Sequence, residues 1–531
     1  MRHALCALAL LLAAPAVRAQ APAEDFNALA ARYFAYYYFH FAPSAGTQAG
    51  LHQYDGELED YSAATVQEQV LMLHDFERKV QAMPPEADRE ILLNNIRSQL
   101  LALTVIRNWE KNPDNYSSGV TGSIFVLMER PYAAPDVRLR AVVAREKKIP
   151  QVFLDARKNL KNPPRIFTEI ALEQIGGIIH FFQNDVPAAF ADATDPDLKA
   201  EFAESNTAVV KALQSYGRWM KSSLLPRSKG EFALGKETYT KKLLYDEMVD
   251  IPLEKLLEIA WADIHKDQAE FARVAKEVDP NKSAAEMLAE LATIHPAPDK
   301  LLGAFNDTFS SLIGFIKEHH IITIPSDVEP TLEETPPFMR ATTFASMDSP
   351  GAFETKSTKA YFNVTLPEKS WTKQHTAEHM AGFNVGTIIS TAVHEAYPGH
   401  YVQFLWQSQF PSTVRKLLGA ATNVEGWAHY CEQMMLDEGY AAAAADATPA
   451  QQKQAKLIRL GQLQDALLRD ARFLNSIKLH TAQGEASGTW TMEQAIDLFV
   501  KEGYQSRVVG TVETKRGTAD ATYLYYALGK L

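Results

Sequence analysis

The sequence predicts a mainly α-helical protein, with a large two-lobed body around a deep cleft and a small antiparallel β element near the functional site. Apolar residues recur at three- and four-residue steps in long segments, such as 65–83, 88–109 and 253–278. Proline and glycine stand mostly between such segments, as in KNPDN (111–115) and KNPPR (161–165). Alternating runs of β-branched and aromatic residues, typical of strands, are few.

The N-terminus is typical of an export signal. Arg2 and His3 precede an apolar run that ends in small residues around Val17 to Ala19. The run is too short to span a bilayer, and no later stretch reaches about 18 uninterrupted apolar residues. We therefore predict a signal peptide over residues 1–19 and one helical domain over residues 20–531. The mature protein is expected to be exported, periplasmic or secreted, without a transmembrane segment.

Charge and cysteine content exclude several classes of protein. The formal net charge is −12, and no basic block is present that would follow a phosphate backbone, so a nucleic-acid partner is not expected. The two cysteines are Cys6, inside the predicted signal, and Cys431. The mature chain therefore has no intramolecular disulfide and no Cys-x-x-Cys pair for a thiolate metal site.

Three further segments bear on the architecture. RYFAYYYFHF (32–41) is either a binding surface or, as we favour, a buried N-terminal helix. KAYFNVTLP (359–367) is the best strand candidate. It is either an edge strand bordering a cleft, able to hold an extended peptide by backbone hydrogen bonds, or a small structural hairpin. YAAAAADATPAQQKQAK (440–456) indicates a solvated connector that leads into another helix.

The segment TAVHEAYPGHYVQ (391–403) contains a candidate metal site with unusual spacing. Zinc peptidases place two histidines at i and i+4 of a helix, with a glutamate after the first. Here His394 and His400 are six residues apart, which on a regular helix amounts to about 600° and puts them on opposite sides. On a regular helix, therefore, the two histidines could not both bind one metal ion.

Two residues between the histidines change this expectation. Pro398 has no N–H to donate to the carbonyl of His394, and its ring crowds that carbonyl. Gly399 tolerates dihedral angles that other residues avoid. We predict that a helix starting near residue 376 bulges or breaks after residue 397, which brings His400 back beside His394. The alternative is a buried hydrogen-bonded cluster next to a Pro-Gly turn.

A second polar group follows in NVEGWAHYCEQMM (423–435). Glu425, His429 and Glu432 are spaced i, i+4 and i+7 and form one stripe on a helix, for which Asn423 is a fair N-cap. Glu425 would complete a two-histidine, one-glutamate site that leaves a fourth position for water, although a structural ion pair is the alternative. Glu432 and His429 would orient the ligands by hydrogen bonds, or serve as a buried ion pair and a packed histidine.

The residue types favour one Zn²⁺ per chain, because imidazole and carboxylate suit zinc and zinc catalyses hydrolysis without redox change. Manganese and nickel remain alternatives by residue type. Glu395, next to His394, is not needed for metal binding alone. It is predicted to be the general base that takes a proton from the attacking water.

HEAYPGH (394–400) followed by EGWAHYCE (425–432) resembles the DUF885 family of bacterial proteins, and the layout is similar to that of gluzincin-type zinc metallopeptidases. The resemblance covers most of the mature chain, including LHQYDGELEDYS (51–62), FALGKETYTKKLL (232–244) and RDARFLNSIKLHTAQGEASGTWTMEQAIDLF (469–499). It implies a zincin-like metallopeptidase domain, and hence an exported zinc-dependent hydrolase that cleaves peptides in the cell envelope.

The same resemblance implies further site residues near the C-terminus. His480 and Tyr526 match family positions and are expected to donate to the developing oxyanion. Arg516 is expected to receive a substrate carboxylate by a bidentate contact. For each of these three residues a structural role is the alternative.

Two other functions stay open at this point. One is a metal-dependent hydrolase of non-peptide amides, and the other is a non-catalytic envelope protein that uses the same fold for binding. The presence of Glu395 beside His394 favours the metallopeptidase over the non-catalytic binding protein, and the hydrolase of non-peptide amides stays the alternative. The sequence does not determine the substrate sequence, the choice between exo- and endopeptidase action, or the oligomeric state.

Overall fold

Helices dominate the protein and make up 69% of the chain, which confirms the predicted mainly α-helical fold. The computed structural model describes residues 25–336, 340, 344–484 and 488–531. The predicted signal peptide, residues 1–19, lies outside the described residues. Among the described residues no helix is both long and apolar enough to cross a membrane. The arrangement of two lobes around a deep cleft stays a prediction.

The first half of the chain is built from consecutive helices. They are α1 (Phe26–Tyr33), α2 (Phe39–Phe41), α3 (Pro43–Gln48), α4 (Ala63–Gln81), α5 (Ala87–Leu101), α6 (Asn108–Lys111), α7 (Asp114–Met128), α8 (Pro135–Glu146), α9 (Ile149–Asn159), α10 (Arg165–His180), α11 (Val186–Ala189), α12 (Pro196–Trp219) and α13 (Lys236–Glu247). Short π-helical or 3₁₀ turns extend several of them. One such turn, Ala102–Ile106, continues α5 until Arg107 ends it with a left-handed φ of 57°.

The second half contains the longest helices and the sheet. Its helices are α14 (Leu253–Val278), α15 (Ala284–Leu291), α16 (Leu301–Glu318), α17 (Lys373–Gly382), α18 (Val385–Glu395), α19 (His400–Ser408), α20 (Thr413–Leu417), α21 (Ala421–Asp437), α22 (Pro449–His480), α23 (Met492–Lys501), α24 (Arg507–Ala519) and α25 (Tyr525–Lys530). Helix α14 has the predicted bounds. The exposed connector before α22 ends at Thr448, whose side chain caps the helix.

The N-terminal aromatic run forms a buried helix, as favoured from the sequence. A π-helical turn, Phe34–Tyr38, joins α1 to α2 without a break in the helical path. Tyr33, Tyr37 and Phe39 are buried, whereas Tyr36 on the opposite face is exposed. The large apolar area of these rings is therefore used in the core and not as a binding surface.

The sheet has three strands, β1 (Thr331–Glu334), β2 (Ala345–Asp348) and β3 (Tyr361–Val364), in the order β1-β3-β2. β3 pairs antiparallel with β2, as predicted, but it also pairs in parallel with β1, so the sheet is mixed and not purely antiparallel. The 359–367 segment is also not an edge strand. Phe362 and Val364 are fully buried, and the ring of Phe362 packs against Phe305 and Phe309 of α16, which explains the central position of β3.

The buried apolar residues form separate clusters, and two of them frame the functional site. One cluster joins α14 and α22 with the C-terminal α25. The other joins α16 and the sheet with α18 and α21. Helix α18 packs against α22, and α21 packs against α25, so the site lies where these two clusters meet.

Candidate metal centre

The chain between the two histidines leaves the helical path, as the sequence predicted. α18 ends at Glu395 and α19 begins at His400. The N–H of Tyr397 donates to the carbonyl of Ala392, five residues back, so the regular i to i−4 ladder stops there. A Cβ on Gly399 would lie 1.8 Å from the carbonyl oxygen of His394, so only glycine allows this close return of the chain.

Two details of the predicted break were wrong. The helix starts at Val385 and not near residue 376, because the Asn384 side chain accepts from the N–H groups of Gly386 and Thr387 and opens a new helix there. The helix also ends two residues earlier than expected, after Glu395. The break therefore spans the four residues between α18 and α19.

The break brings the two imidazoles together around one carboxylate. Nε2 of His394 lies 3.3 Å from Oε2 of Glu425, and Nε2 of His400 lies 3.5 Å from the same oxygen. The two rings are nearly perpendicular, with centroids 4.8 Å apart. Ligand atoms about 2.0–2.1 Å from a tetrahedral zinc ion lie about 3.3–3.4 Å from one another. The observed separations therefore fit a common zinc ion.

The protonation state of Glu425 also fits a metal ligand. Burial by itself would raise the pKa of Glu425, but the close approach of the imidazoles of His394 and His400 outweighs burial and holds the pKa far below its usual range. Oε2 of Glu425 is buried and accepts no well-formed hydrogen bond from the described residues. An ionised, buried carboxylate oxygen that faces two imidazole nitrogens is a donor set that suits zinc.

Helix α21 presents Glu425 close to its N-terminus. The helix begins at Ala421, so Asn423 lies inside it and is not the N-cap that the sequence suggested. Glu247 from α13 replaces that cap, because its Oε2 accepts the N–H of Thr422 at 2.8 Å. The reason is tertiary, since α13 packs against α21.

Glu432 contacts the second ring nitrogen of His394, as the sequence suggested. The side chain is fully buried, and Oε1 lies 2.6 Å from Nδ1 of His394 and 3.0 Å from Nη2 of Arg469. Burial would raise the pKa of Glu432, but Arg469 and His429 outweigh it and lower the pKa well below its usual value. The ionised carboxylate thus holds a proton on Nδ1 of His394 and leaves Nε2 as the nitrogen that can bind a metal. Burial would lower the pKa of His394, but Glu425 and Glu432 raise it to about 9, so a metal would have to displace a proton from Nε2.

His429 does not contact any of the candidate ligands. Its Nδ1 lies 3.3 Å from Oε2 of Glu432, and its side chain is fully buried. Burial lowers the pKa of His429 to about 3, so the imidazole is neutral at physiological pH. The packed core histidine, one of the two alternatives from the sequence, is the one observed.

Glu395 stands beside the cluster and outside the set of ligand atoms. It is the last residue of α18, half-buried, and its Oε2 accepts the N–H of Met347 at 3.3 Å. Met347 belongs to β2, which forms one edge of the sheet. The carboxylate that the sequence nominated as a base therefore lies between His394 and an edge strand.

Tyr526 lies near His394, and Arg516 lies near Tyr526. The ring centroid of Tyr526 is 6.5 Å from that of His394. The guanidinium groups of Arg469, Arg472 and Arg516 lie 5.7, 4.9 and 6.0 Å from the Tyr526 centroid. Sequence reasoning missed Arg469 and Arg472. The feature of the sequence that could have identified them is a pair of arginines, three residues apart, on a helix whose other residues are mostly buried.

His480 is not part of the site, so its prediction as an oxyanion donor was wrong. It is fully buried at the end of α22, where Nε2 lies 2.7 Å from the carbonyl oxygen of Gly517 and the ring packs near Phe232 and Tyr239. Burial lowers its pKa to about 4. Arg472, which does reach Tyr526, is eight residues earlier on the same helix, or about 12 Å along its axis.

The fold and the site together describe a mainly helical protein with two histidines and a glutamate gathered at a helix break. The chain belongs to the DUF885 family, described as "Bacterial protein of unknown function", whose model matches residues 43–531. Among curated proteins none matches the sequence.

Two solved structures share the fold. A "putative lipoprotein of unknown function" from Shewanella oneidensis is 24% identical, with a TM-score of 0.77, covering 96% of this chain and 92% of that one. A "putative lipoprotein" from Colwellia psychrerythraea is 15% identical, with a TM-score of 0.74, covering 94% of this chain and 91% of that one. At these identities the similarity establishes the fold alone.

Proposed function

We propose that the protein is an exported zinc-dependent metallopeptidase similar to the gluzincins, with zinc bound by His394, His400 and Glu425. One observation carries the proposal. Two imidazole nitrogens lie 3.3 and 3.5 Å from one buried carboxylate oxygen, across a helix break that serves to bring them there. Export is supported by the signal-like N-terminus and by the description of two similar structures as lipoproteins.

Glu395 is the general base in this proposal. When bound, zinc would polarise the scissile carbonyl and lower the pKa of a water molecule. Glu395 is next in the chain to His394 but free of the ligand set, so its carboxylate can take the proton of that water and return it to the leaving amine. The N–H of Met347 orients the carboxylate from the side of the sheet.

Tyr526 donates to the oxyanion that forms when the carbonyl is attacked. Its ring lies beside His394. Arg469 and Arg472 lie near the ring and are ion-paired with Glu432 and Glu513, which fixes the surroundings of the phenol. A donor held in a fixed, buried position strengthens its hydrogen bond to the oxyanion in the transition state. Arg516, with 39% of its side chain exposed, is placed to receive a terminal carboxylate of a peptide.

The peptide would lie along β2. The N–H of Met347 points away from β3 toward Glu395, so the free edge of β2 faces the cluster. A cavity of about 430 Å³ borders this strand and is lined by Met347, Asp348, Phe404 and residues of the N-terminal helices. Phe404 stacks on the ring of His400, which makes the cavity a neighbour of the metal ligands. An edge strand holds an extended peptide by backbone hydrogen bonds.

The substitution Glu395→Gln tests this function. We expect the variant to keep zinc at the wild-type level, measured by metal analysis, and to lose about 10²–10⁴-fold in the rate of peptide hydrolysis. Glu378→Gln, which changes an exposed glutamate on α17, is the matched control. The wild type should cleave members of a peptide library, and a chelator should abolish the cleavage.

Two results would contradict the proposal in different ways. Near-normal hydrolysis by Glu395→Gln with zinc bound would exclude Glu395 as the base. A zinc-loaded wild type that cleaves no peptide in the library would favour the non-catalytic binding protein.

A further inference from the structure

A second cluster of carboxylates lies away from the candidate zinc ligands. Asp263 and Asp267 stand one turn apart on α14, and Asp470 faces them from α22, which packs along α14. The three residues are 4%, 3% and 1% exposed. One carboxylate oxygen from each lies within 4.8 Å of the other two.

The carboxylates lack the hydrogen-bond donors that burial requires. Both oxygens of Asp470, and Oδ2 of Asp263 and of Asp267, accept no hydrogen bond from any described residue. A buried carboxylate without donors costs several kcal/mol unless a charge or a proton compensates it. Asp470 is almost completely buried and faces the other two carboxylates. Of the three residues it therefore has the greatest need of a compensating charge.

The neighbouring cations do not balance the cluster. Nζ of Lys530 is buried and lies 3.5 Å from Oδ2 of Asp267, which offsets one negative charge. Nζ of Lys266 lies 3.5 Å from Oδ1 of Asp263, but its side chain is 60% exposed and largely solvated. One buried ammonium against three carboxylates leaves a deficit. Either a proton on Asp470, whose pKa burial raises well above its usual value, or one divalent cation would reduce this deficit.

We propose that Asp263, Asp267 and Asp470 bind a divalent cation of the oxygen-preferring class, such as Ca²⁺ or Mn²⁺. The donor set consists of carboxylates without imidazole or thiolate, which is the set that these ions prefer. Oxygens on opposite sides of a Ca²⁺ ion are about 4.8 Å apart, and oxygens on adjacent sides are closer, so the observed spacing fits. This proposal does not depend on the peptidase activity.

The cation would fix the C-terminal helix against the body of the protein. Lys530 and Tyr526 are one turn apart on α25, and Asp470 stands beside Arg469 on α22. A cation held between α14 and α22 would also set the position of Lys530, which contacts Asp267. The site is thus placed to order the helix that carries Tyr526.

Manganese binding to the full-length protein tests this site. Chelator-treated protein is first saturated with zinc and then titrated with Mn²⁺, with free Mn²⁺ followed by electron paramagnetic resonance. We expect one Mn²⁺ per chain in the wild type and in His400→Ala, displaced by Ca²⁺. Asp470→Asn should weaken this binding on the order of ten-fold or more, because one charged ligand is lost. Ca²⁺ should also raise the melting temperature of the wild type.

The control is Glu146→Gln. Glu146 is another buried carboxyl, but it accepts hydrogen bonds from Ser205 and Asn206. It lies on α8, whose buried apolar residues belong to a different core cluster, so Mn²⁺ binding should be unchanged. Asp263→Asn serves as a second ligand variant if Asp470→Asn does not fold. The proposal is overturned if the zinc-loaded wild type binds no Mn²⁺ at millimolar concentration, or if a folded ligand variant binds it as tightly as the wild type.

Discussion

Oε1 of Glu432 lies 2.6 Å from Nδ1 of His394, on the far side of the imidazole from Glu425. The ring is therefore held from both sides by carboxylates. Glu432 is itself held by Arg469 at 3.0 Å, so the orientation of His394 depends on a chain of buried charges that reaches α22. This arrangement separates the residues that would bind zinc from those that aim the ligand.

We expect Glu432→Gln to weaken zinc binding. Glutamine keeps the shape but loses the charge that fixes the proton on Nδ1 of His394, and such partners typically contribute about 10–100-fold to metal affinity. Competition with a chromophoric chelator would measure the dissociation constant, with Glu438→Gln just after α21 as the control. Circular dichroism would establish that the variant is folded. An unchanged dissociation constant would mean that Glu432 has only a packing role.

Tyr526→Phe should keep zinc and lose activity. Removal of one oxyanion donor typically lowers kcat by about 10²–10³-fold. Tyr525→Phe is the comparison on the same helix: its hydroxyl donates to Asp520 at 2.8 Å and accepts from Arg516 at 3.2 Å, so its loss should change KM and leave kcat unchanged. Steady-state kinetics on a cleaved peptide would measure both variants. Equal losses in both would point to a general disturbance of α25.

The ligand cluster could be predicted because its geometry is local. Pro398 and Gly399 force the chain to leave the helix within the segment that contains both histidines. The stripe of Glu425 and Glu432 follows from helical periodicity alone. Each of these two inferences depends only on neighbouring residues. The one long-range assumption is that α21 packs against α18.

Contacts between elements that are distant in the chain could not be predicted from the sequence. The edge position of β2 and the central position of β3 depend on pairing across the sheet, which residue patterns do not encode. His480 was assigned to the site by the family resemblance, and the sequence does not show that it stands at the far end of the 32-residue helix α22. Arg469 was missed since a buried arginine becomes interpretable only when its partner, Glu432, is seen.

Stability should fall as the pH rises through the titration of Glu146. Burial raises the pKa of Glu146 to about 7, even though Ser205 and Asn206 donate to it. In the unfolded chain the pKa is about 4.3, so between these values the folded state binds the extra proton and stability decreases with rising pH.

Glu146→Gln removes this proton linkage. We expect the variant to gain stability relative to the wild type as the pH rises from 5 to 8, by up to about 3 kcal/mol. Urea denaturation at several pH values would measure the difference, and other titrating groups cancel in the comparison. A difference that does not vary with pH would show that Glu146 titrates normally in the folded protein.

Gly426→Ala should disturb the site through helix packing. α21 and α25 cross so closely that a Cβ on Gly426 would lie 2.4 Å from Cα of Gly529, so the backbones must move apart. Overpacking of this kind typically costs about 1–3 kcal/mol, which urea denaturation would measure. Gly122→Ala on α7 is the control, because its Cβ meets no atom within 4 Å and alanine favours the helix.

Since α21 carries Glu425 and α25 carries Tyr526, the separation should also lower peptide hydrolysis under conditions where the variant is fully folded. Wild-type stability in Gly426→Ala would mean that the two helices can tolerate a side chain between them.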